Sequence, residues 1–412
     1  MHSHLLRVAL AFLSFSQSSG ALEPKSTSNC DERKQVVRDC NQFAIELYTR
    51  LSDGKATNVF FCPESISSAL AMTYGGANNQ TRQQMAEVLH FTLPPAKLHS
   101  AFEQLRLSAQ TRTEQRGVEF KVANRLWGQS GNHFLPAFMQ MTRVHYGAEL
   151  AQVDFAGETQ AARESINAWV NKQTDNRIQD LLAHESISSA TRLTLTNAVF
   201  FKGQWTHEFS KLATKNLSFQ ILSGNLVSVP MMFQESEFRY AAIDDLQIVE
   251  LPYGQDSHIS MLIVLPQKFD GIFALSKQLT SKTVEHWCDA IKSQMVRLYL
   301  PRFRVSSDFQ LKAVLEKMGM TLAFDSKRAD FSCMSGDEQL CLDSVIHKAS
   351  LEVNEQGTVA TAATAVIAMT KTIEEPKAAP VVFCADHPFM LLIRDNRTES
   401  ILFMGQISVP SE

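Results

Sequence analysis

The chain is predicted to fold as a single α+β domain, and three observations predict it. Helical spacing dominates its first part, β-rich runs dominate later, and the two do not alternate as strict β-α-β units. No internal repeat and no Gly-, Ser- or Pro-rich linker breaks the 412 residues, so one domain is expected over residues 22–412. Hydrophobic residues make up 44% and charged residues 20%, which leaves ample material for a large core.

The first element is a leader. His2, His4 and Arg7 precede an apolar run at residues 8–13, and Ser19, Gly20 and Ala21 suit cleavage after Ala21. This is the layout of a signal peptide over residues 1–21. The run is too short to span a bilayer, and no later segment is long and apolar enough. The expectation is a secreted, extracellular protein with no membrane partner. Residues 31–53 follow as a helix, with Val36, Val37, Cys40, Phe43, Ala44, Leu47, Tyr48 and Leu51 at helical spacing and Gly54 ending it. Val59, Phe60 and Phe61 form a short buried strand. Pro63 then starts a helix through Leu70 whose small residues, Ser65, Ser67, Ser68 and Ala69, permit close packing.

Residues 119–126 alternate apolar and polar, as a strand with one wet face does. Residues 160–182 return to helical spacing through Ile166, Trp169, Val170 and Ile178. Strands are then predicted at 193–201, 247–251, 259–265 and 295–304. A helix is predicted at 308–320 with Asp308 as its cap. Residues 345–355 read as a strand, and 389–393 and 401–407 as a closing hairpin around a polar turn.

Chemistry is scarce outside one segment. The net charge of −4, with Lys and Arg spread along the chain, argues against nucleic-acid and polyanion partners. The seven cysteines, Cys30, Cys40, Cys62, Cys288, Cys333, Cys341 and Cys384, show no zinc spacing, so no metal is expected. Cys333 and Cys341 are close enough in sequence to close a short loop; Cys30 and Cys40 are too far apart along one helix to bond each other. Glycosylation sequons begin at Asn79, Asn216 and Asn396. No nucleophile elbow, His-Glu-x-x-His pair or phosphate loop occurs, so neither an enzyme nor a cofactor is expected.

The exception is Gly-Thr-Val-Ala-Thr-Ala-Ala-Thr-Ala-Val-Ile-Ala-Met-Thr at residues 357–370, which carries no charge, aromatic ring or proline. Alanine favours helix while threonine, valine and isoleucine favour strand, so its local preference is divided. As a strand it would place Thr358, Ala360, Ala362, Thr364, Val366 and Ala368 on one face, all able to enter a sheet. A core strand is the plain reading. Residues 371–380, however, hold Glu374, Glu375, two prolines and two lysines, which is exposed-loop chemistry. An uncharged β-prone run beside an exposed loop is an aggregation hazard, and its retention points to a role in sheet insertion.

Here the residues resemble the serpin family. The stretch Glu355, Gln356, Gly357, Thr358, Val359, Ala360, Thr361, Ala362, Ala363, Thr364 is similar to the hinge of an inhibitory reactive loop. Residues 197–205, from Asn197 to Trp205, are similar to the central-sheet signature, and 386–389, 401–405 and 58–63 match further family strands. The details look most like the ovalbumin-type branch, whose members commonly lack a cleaved leader.

The resemblance implies three β-sheets, about nine helices and an exposed reactive-centre loop over about residues 355–380. It implies a monomer that inhibits a serine protease by covalent trapping, with the cut at Lys371–Thr372. A lysine there suits the acid-lined pocket of trypsin-like enzymes. A slightly long loop leaves Met369, Thr370 and Lys377 as alternative positions. Val359 replaces a usual glutamate, which implies at most slower insertion. Ser65, Ser67, Asn197 and His347 match the polar cluster where the main sheet opens, and Trp205 the start of insertion. Arg302 and Glu355 match a loop-base pair, worth about 0–1 kcal/mol if exposed. A non-inhibitory carrier or chaperone serpin is the alternative, disfavoured by the small residues of the hinge.

Overall fold

The computed structural model describes residues 25–113, 117–336, 340–358 and 379–411. The leader and residues 359–378, which contain Lys371, Thr372 and most of the hinge run, lie outside the described residues. The helices in chain order are α1 (Lys25–Ser52), α2 (Pro63–Tyr74), α3 (Asn79–Val88), α4 (Pro95–Thr113) and α5 (Pro136–Met141). They continue with α6 (Thr159–Gln173), α7 (Ile272–Gln278), α8 (Ser281–Ala290), α9 (Lys312–Lys317) and α10 (Ser332–Ser335). Strands β1 (Val59–Phe61), β2 (Val118–Gln129), β3 (Ala151–Val153), β4 (Leu193–Gln204) and β5 (Lys215–Gln220) precede β6 (Leu226–Ile243), β7 (Leu246–Tyr253), β8 (Ile259–Pro266), β9 (Lys292–Pro301) and β10 (Phe303–Gln310). The last are β11 (Ser344–Asn354), β12 (Gly357–Thr358), β13 (Val381–Cys384), β14 (Phe389–Asp395) and β15 (Ser400–Ile407).

Hydrogen bonding makes a six-stranded sheet, β10-β11-β12-β4-β2-β3, and a nine-stranded one, β1-β15-β14-β8-β7-β6-β9-β13 with β5 beside β6. The expected second and third sheets are continuous because the long β6 pairs with β5, then β9, then β7 along its length. The central strand of the six-stranded sheet, β4, is buried on both faces along most of its length. In β4, Val199 and Phe201 enter the core shared with the nine-stranded sheet, while Ala198 and Phe200 face the cluster built by Ile166 and Val170 of α6. That explains why β4 reads as a continuous apolar run rather than an alternating one. The predicted strand at Val59 to Phe61 pairs with β15, where a Cβ on Gly405 would fall 2.2 Å from the Val59 carbonyl oxygen.

Three expectations fail at their boundaries. Asp308 does not cap a helix: it lies in β10 opposite Lys348, whose Nζ is 3.1 Å from its carboxylate. Burial alternates from Phe303 through Val305 to Ser307, so the two-residue period persists and the helix is only α9. The predicted strand at 295–304 is two strands in different sheets, β9 and β10, parted at Pro301 and Arg302. The helix predicted to 182 ends at Gln173, because Asp175, Asn176 and Asp180 take left-handed φ of 49°, 61° and 48°, which a helix cannot continue. Ile178 and Leu182 still reach the α6 cluster.

Candidate functional site: the hinge and the sheet below it

The sheet parts at one end. Strands β11 and β4 pair directly and in parallel from Ser344 opposite Thr194 to Ser350 opposite Phe200. Beyond that point β12 lies between them, antiparallel to both: Thr358 faces Val353 on one side and Gly203 on the other. The chain reaches this slot through a turn at Glu355 and Gln356, with the Gln356 amide donating to Asn354 Oδ1 at 3.1 Å. Gly357 has φ +141°, and a Cβ there would sit 2.1 Å from the Gly203 carbonyl oxygen. Only glycine fits so tight an entry.

Thr358 is fully buried (0% exposed), and its Oγ1 shares a 2.9 Å hydrogen bond with the Tyr253 hydroxyl. Burial pushes the pKa of that hydroxyl up, so it stays protonated. Trp205 closes the slot from below the turn: its Nε1 donates to the Asn354 carbonyl at 2.9 Å and its amide to the Gln356 carbonyl at 3.0 Å. Glu355 hydrogen-bonds Arg302, as expected, and also accepts from Thr214 Oγ1 at 2.7 Å. The pair is not the exposed one expected, since the Glu355 side chain is 3% exposed against 35% for Arg302. Burial pushes the Glu355 carboxyl up, but the bonds from Arg302 and Thr214 outweigh it and hold the pKa below the usual range.

Below the slot, His347 stands opposite Asn197 where β11 and β4 are still paired. It is fully buried (0% exposed). Its Nδ1 hydrogen-bonds Asn197 Oδ1, and its Nε2 accepts the Cys62 amide at 3.2 Å. An amide can only donate and a carbonyl oxygen only accept, so the ring is the neutral Nδ1–H tautomer. Burial pushes its pKa down to about 3. The Asn197 amide group continues to Ser65 Oγ at 2.5 Å and to Asn124 Oδ1. The network therefore ties β11 to β4 and anchors both to α2.

Of the residues predicted from sequence, the structure brings together Ser65, Asn197 and His347 here, and Trp205, Arg302, Glu355, Gln356, Gly357 and Thr358 at the slot. Ser67 is elsewhere: it lies two residues after Ser65, on another face of α2, and meets the Cys40 thiol. Asn124, Thr214 and Tyr253 were missed. Asn124 lies opposite Asn197 in the β2–β4 register, but a lone polar residue in an alternating strand reads as part of a wet face. Val359, Ala360, Thr361, Ala362, Ala363 and Thr364 lie outside the described residues.

The far end of the loop returns at β13, paired in parallel with β9. Just after it, the His387 ring bonds Asp386 Oδ1 (2.7 Å) and the Pro266 carbonyl (2.5 Å). Asn79, Asn216 and Asn396 are all exposed. The Asn396 amide donates to Glu250 and Ser260, so a glycan on its nitrogen, which replaces one of the two hydrogens, must displace at least one of these bonds. All seven cysteines are free, Cys333 and Cys341 included. Among the described residues, no helix is long and apolar enough to cross a membrane.

A two-residue strand of the chain thus lies between β11 and β4 at one end of the sheet, and a buried polar network joins the same two strands farther down. The family model described as Serpin (serine protease inhibitor) matches residues 38–410, and the chain belongs to the serpin family. It is 38% identical over 378 residues to the leukocyte elastase inhibitor of Xenopus laevis, covering 90% of this chain and 98% of that protein. To the leukocyte elastase inhibitor of Homo sapiens it is 38% identical over 388 residues, covering 92% and 100%. Uncleaved ovalbumin is similar in structure, with a TM-score of 0.81 at 29% identity, covering 91% of this chain and 100% of that one. The fold is the serpin fold, and the protein is of the protease-inhibitor class rather than a hydrolase.

Proposed function

We propose that the protein is a secreted, single-use inhibitor of a trypsin-like serine protease, cut between Lys371 and Thr372. The protease serine attacks the Lys371 carbonyl, the peptide bond breaks, and the Thr372 amine leaves with a proton, giving an ester-linked acyl-enzyme. Freed at that end, residues from Val359 onward follow Gly357 and Thr358 between β11 and β4. The protease travels with them and is distorted before water can release it. The observation that carries this reading is the docked, glycine-gated start of the hinge, continued in sequence by small, uncharged residues. Lys371 supports a trypsin-like target because an acidic pocket pairs with its ammonium.

A second reading has a specific support. The relatives above are named for leukocyte elastase, and Met369 and Thr370 offer uncharged residues at the cleavage position. Incubation with trypsin and with leukocyte elastase separates the two. Lysine-directed inhibition gives a detergent-stable complex with trypsin and a released fragment beginning at Thr372. A complex with elastase alone, with a fragment beginning at Thr370 or Lys371, moves the target class. Cleavage with no complex makes the protein a carrier or chaperone serpin. Export predicts mature material beginning at Leu22 and shortened in mass by glycosidase.

A further inference from the structure

Tyr253, the last residue of β7, belongs to no part of the insertion mechanism described so far, yet several contacts converge on it. Its ring stacks on Trp205 (centroids 4.4 Å apart, 13° between planes) and meets Phe201 edge-on. It fills the volume left by the absent side chain of Gly203, whose Cβ would be 2.6 Å from Tyr253 Cδ1. The residue is 1% exposed, and the Thr358 hydroxyl is its hydrogen-bond partner. If the hinge withdrew, that phenol would be left among Trp205, Phe201 and Gly203, where an unmade hydrogen bond is expensive.

We propose that Tyr253 is the positioning residue that holds the uncut hinge in the sheet. Its hydroxyl sets the balance between a docked and a withdrawn Thr358, and with it how much loop stands out to meet a protease. The aromatic ring gives the docking point a rigid floor, so strand addition after the cut resumes from a fixed register. The kinetic consequence rests on the loop-insertion reading above; the docking itself does not.

The test is a double-mutant cycle read by hydrogen–deuterium exchange on the full-length, uncut protein. Tyr253→Phe keeps the ring stack and removes the hydroxyl, Thr358→Val keeps the shape and removes the partner, and Thr358→Ser restores it. The reporting amides are Gly357, Thr358 and Trp205, the last of which donates to the Gln356 carbonyl. Loss of one net hydrogen bond predicts exchange about five- to tenfold faster in each of the first two variants. The double variant should be no faster than either single one, and Thr358→Ser should match the wild type. Association with trypsin should quicken in step.

Wild-type exchange in Tyr253→Phe would overturn the proposal. So would fully additive effects in the double variant, because the two hydroxyls would then act independently. Failure of the wild type to trap trypsin would sink the functional reading alone, and the exchange cycle would still decide this one.

Discussion

Replacing Thr358 by arginine is the sharpest test of strand insertion. The threonine is fully buried between Val353 and Gly203, with Tyr253 on its hydroxyl. No carboxylate is among these neighbours, so an arginine in the slot would be a buried, unpaired charge. The effective penalty for such burial is several kcal/mol. In the uncut protein the charge escapes by leaving the slot. After cleavage it cannot, because residue 358 must be reburied before anything behind it can enter. If about 3–4 kcal/mol of the penalty is felt at that step, insertion slows by about 10²–10³-fold, while hydrolysis of the acyl-enzyme keeps its rate. The outcome is read by titrating a fixed amount of trypsin with increasing protein and following residual activity and detergent-stable complex. The wild type should trap near one to one, whereas Thr358→Arg should be consumed as a substrate in at least tenfold excess. A variant that still traps stoichiometrically would refute the claim that residue 358 enters the sheet.

Three further outcomes follow from the same geometry. His347 has a folded pKa of about 3, below the unfolded value near 6.5, so the unfolded chain binds the extra proton between these limits. Its stabilising effect is complete above about pH 6.5 and is lost towards pH 3 at up to about 1.4 kcal/mol per pH unit; His347→Gln should flatten that part of a thermal-midpoint profile. Arg302→Ala leaves the Glu355 carboxylate without its cation and should lower stability by about 1–2 kcal/mol, discounted from a fully buried pair because Arg302 is partly exposed. Since the Glu355 pKa is lowered on folding, that deficit should be present at neutral pH and fade as the pH falls through the carboxylate range. Finally, protein cut in its loop should unfold at a clearly higher temperature than intact protein in differential scanning calorimetry; equal midpoints would contradict insertion.

Much of the site was legible because its residues are peculiar where they stand. Gly357 followed by an uncharged run of divided preference marks a segment with two uses, and Trp205 ends a strand buried on both faces. The register of the opening was not legible. Ser65, Asn124, Asn197 and His347 come from four separate segments, and each alone resembles an ordinary core or wet-face residue. Their convergence depends on pairing β4 with β11 and β2, which no local period encodes. Asp308 misled for a related reason. Val314 and Leu315 do lie on a helix, with Leu311 just before its first residue, but the two-residue period of β10 runs up to Gln310, and the overlapping patterns admit either boundary. Tyr253 was overlooked because an aromatic before Gly254 looks like the end of a strand, and its partner lies 105 residues away.

The direction of the conformational change can be argued from the sheet itself. In the uncut protein β4 and β11 form a parallel ladder over seven residue pairs, Ser344 to Ser350. The short β12 is antiparallel to both neighbours. Each residue added to it replaces one parallel pairing by two antiparallel ones, and parallel pairing is slightly the weaker per residue. Zipping is therefore downhill once the chain can supply residues, and the small side chains after Thr358 meet no steric or desolvation penalty on the way in. What opposes it is local: the His347–Asn197–Ser65 network must be broken as the strands part, and α6, packed through Ile166 and Val170 on the same sheet, must give way. The chain is held at Gly357 and again at β13, so each residue that enters the sheet leaves less of the intervening segment to span back to β13. Cutting that segment changes neither the barrier residues nor the sheet; it removes the need to span back.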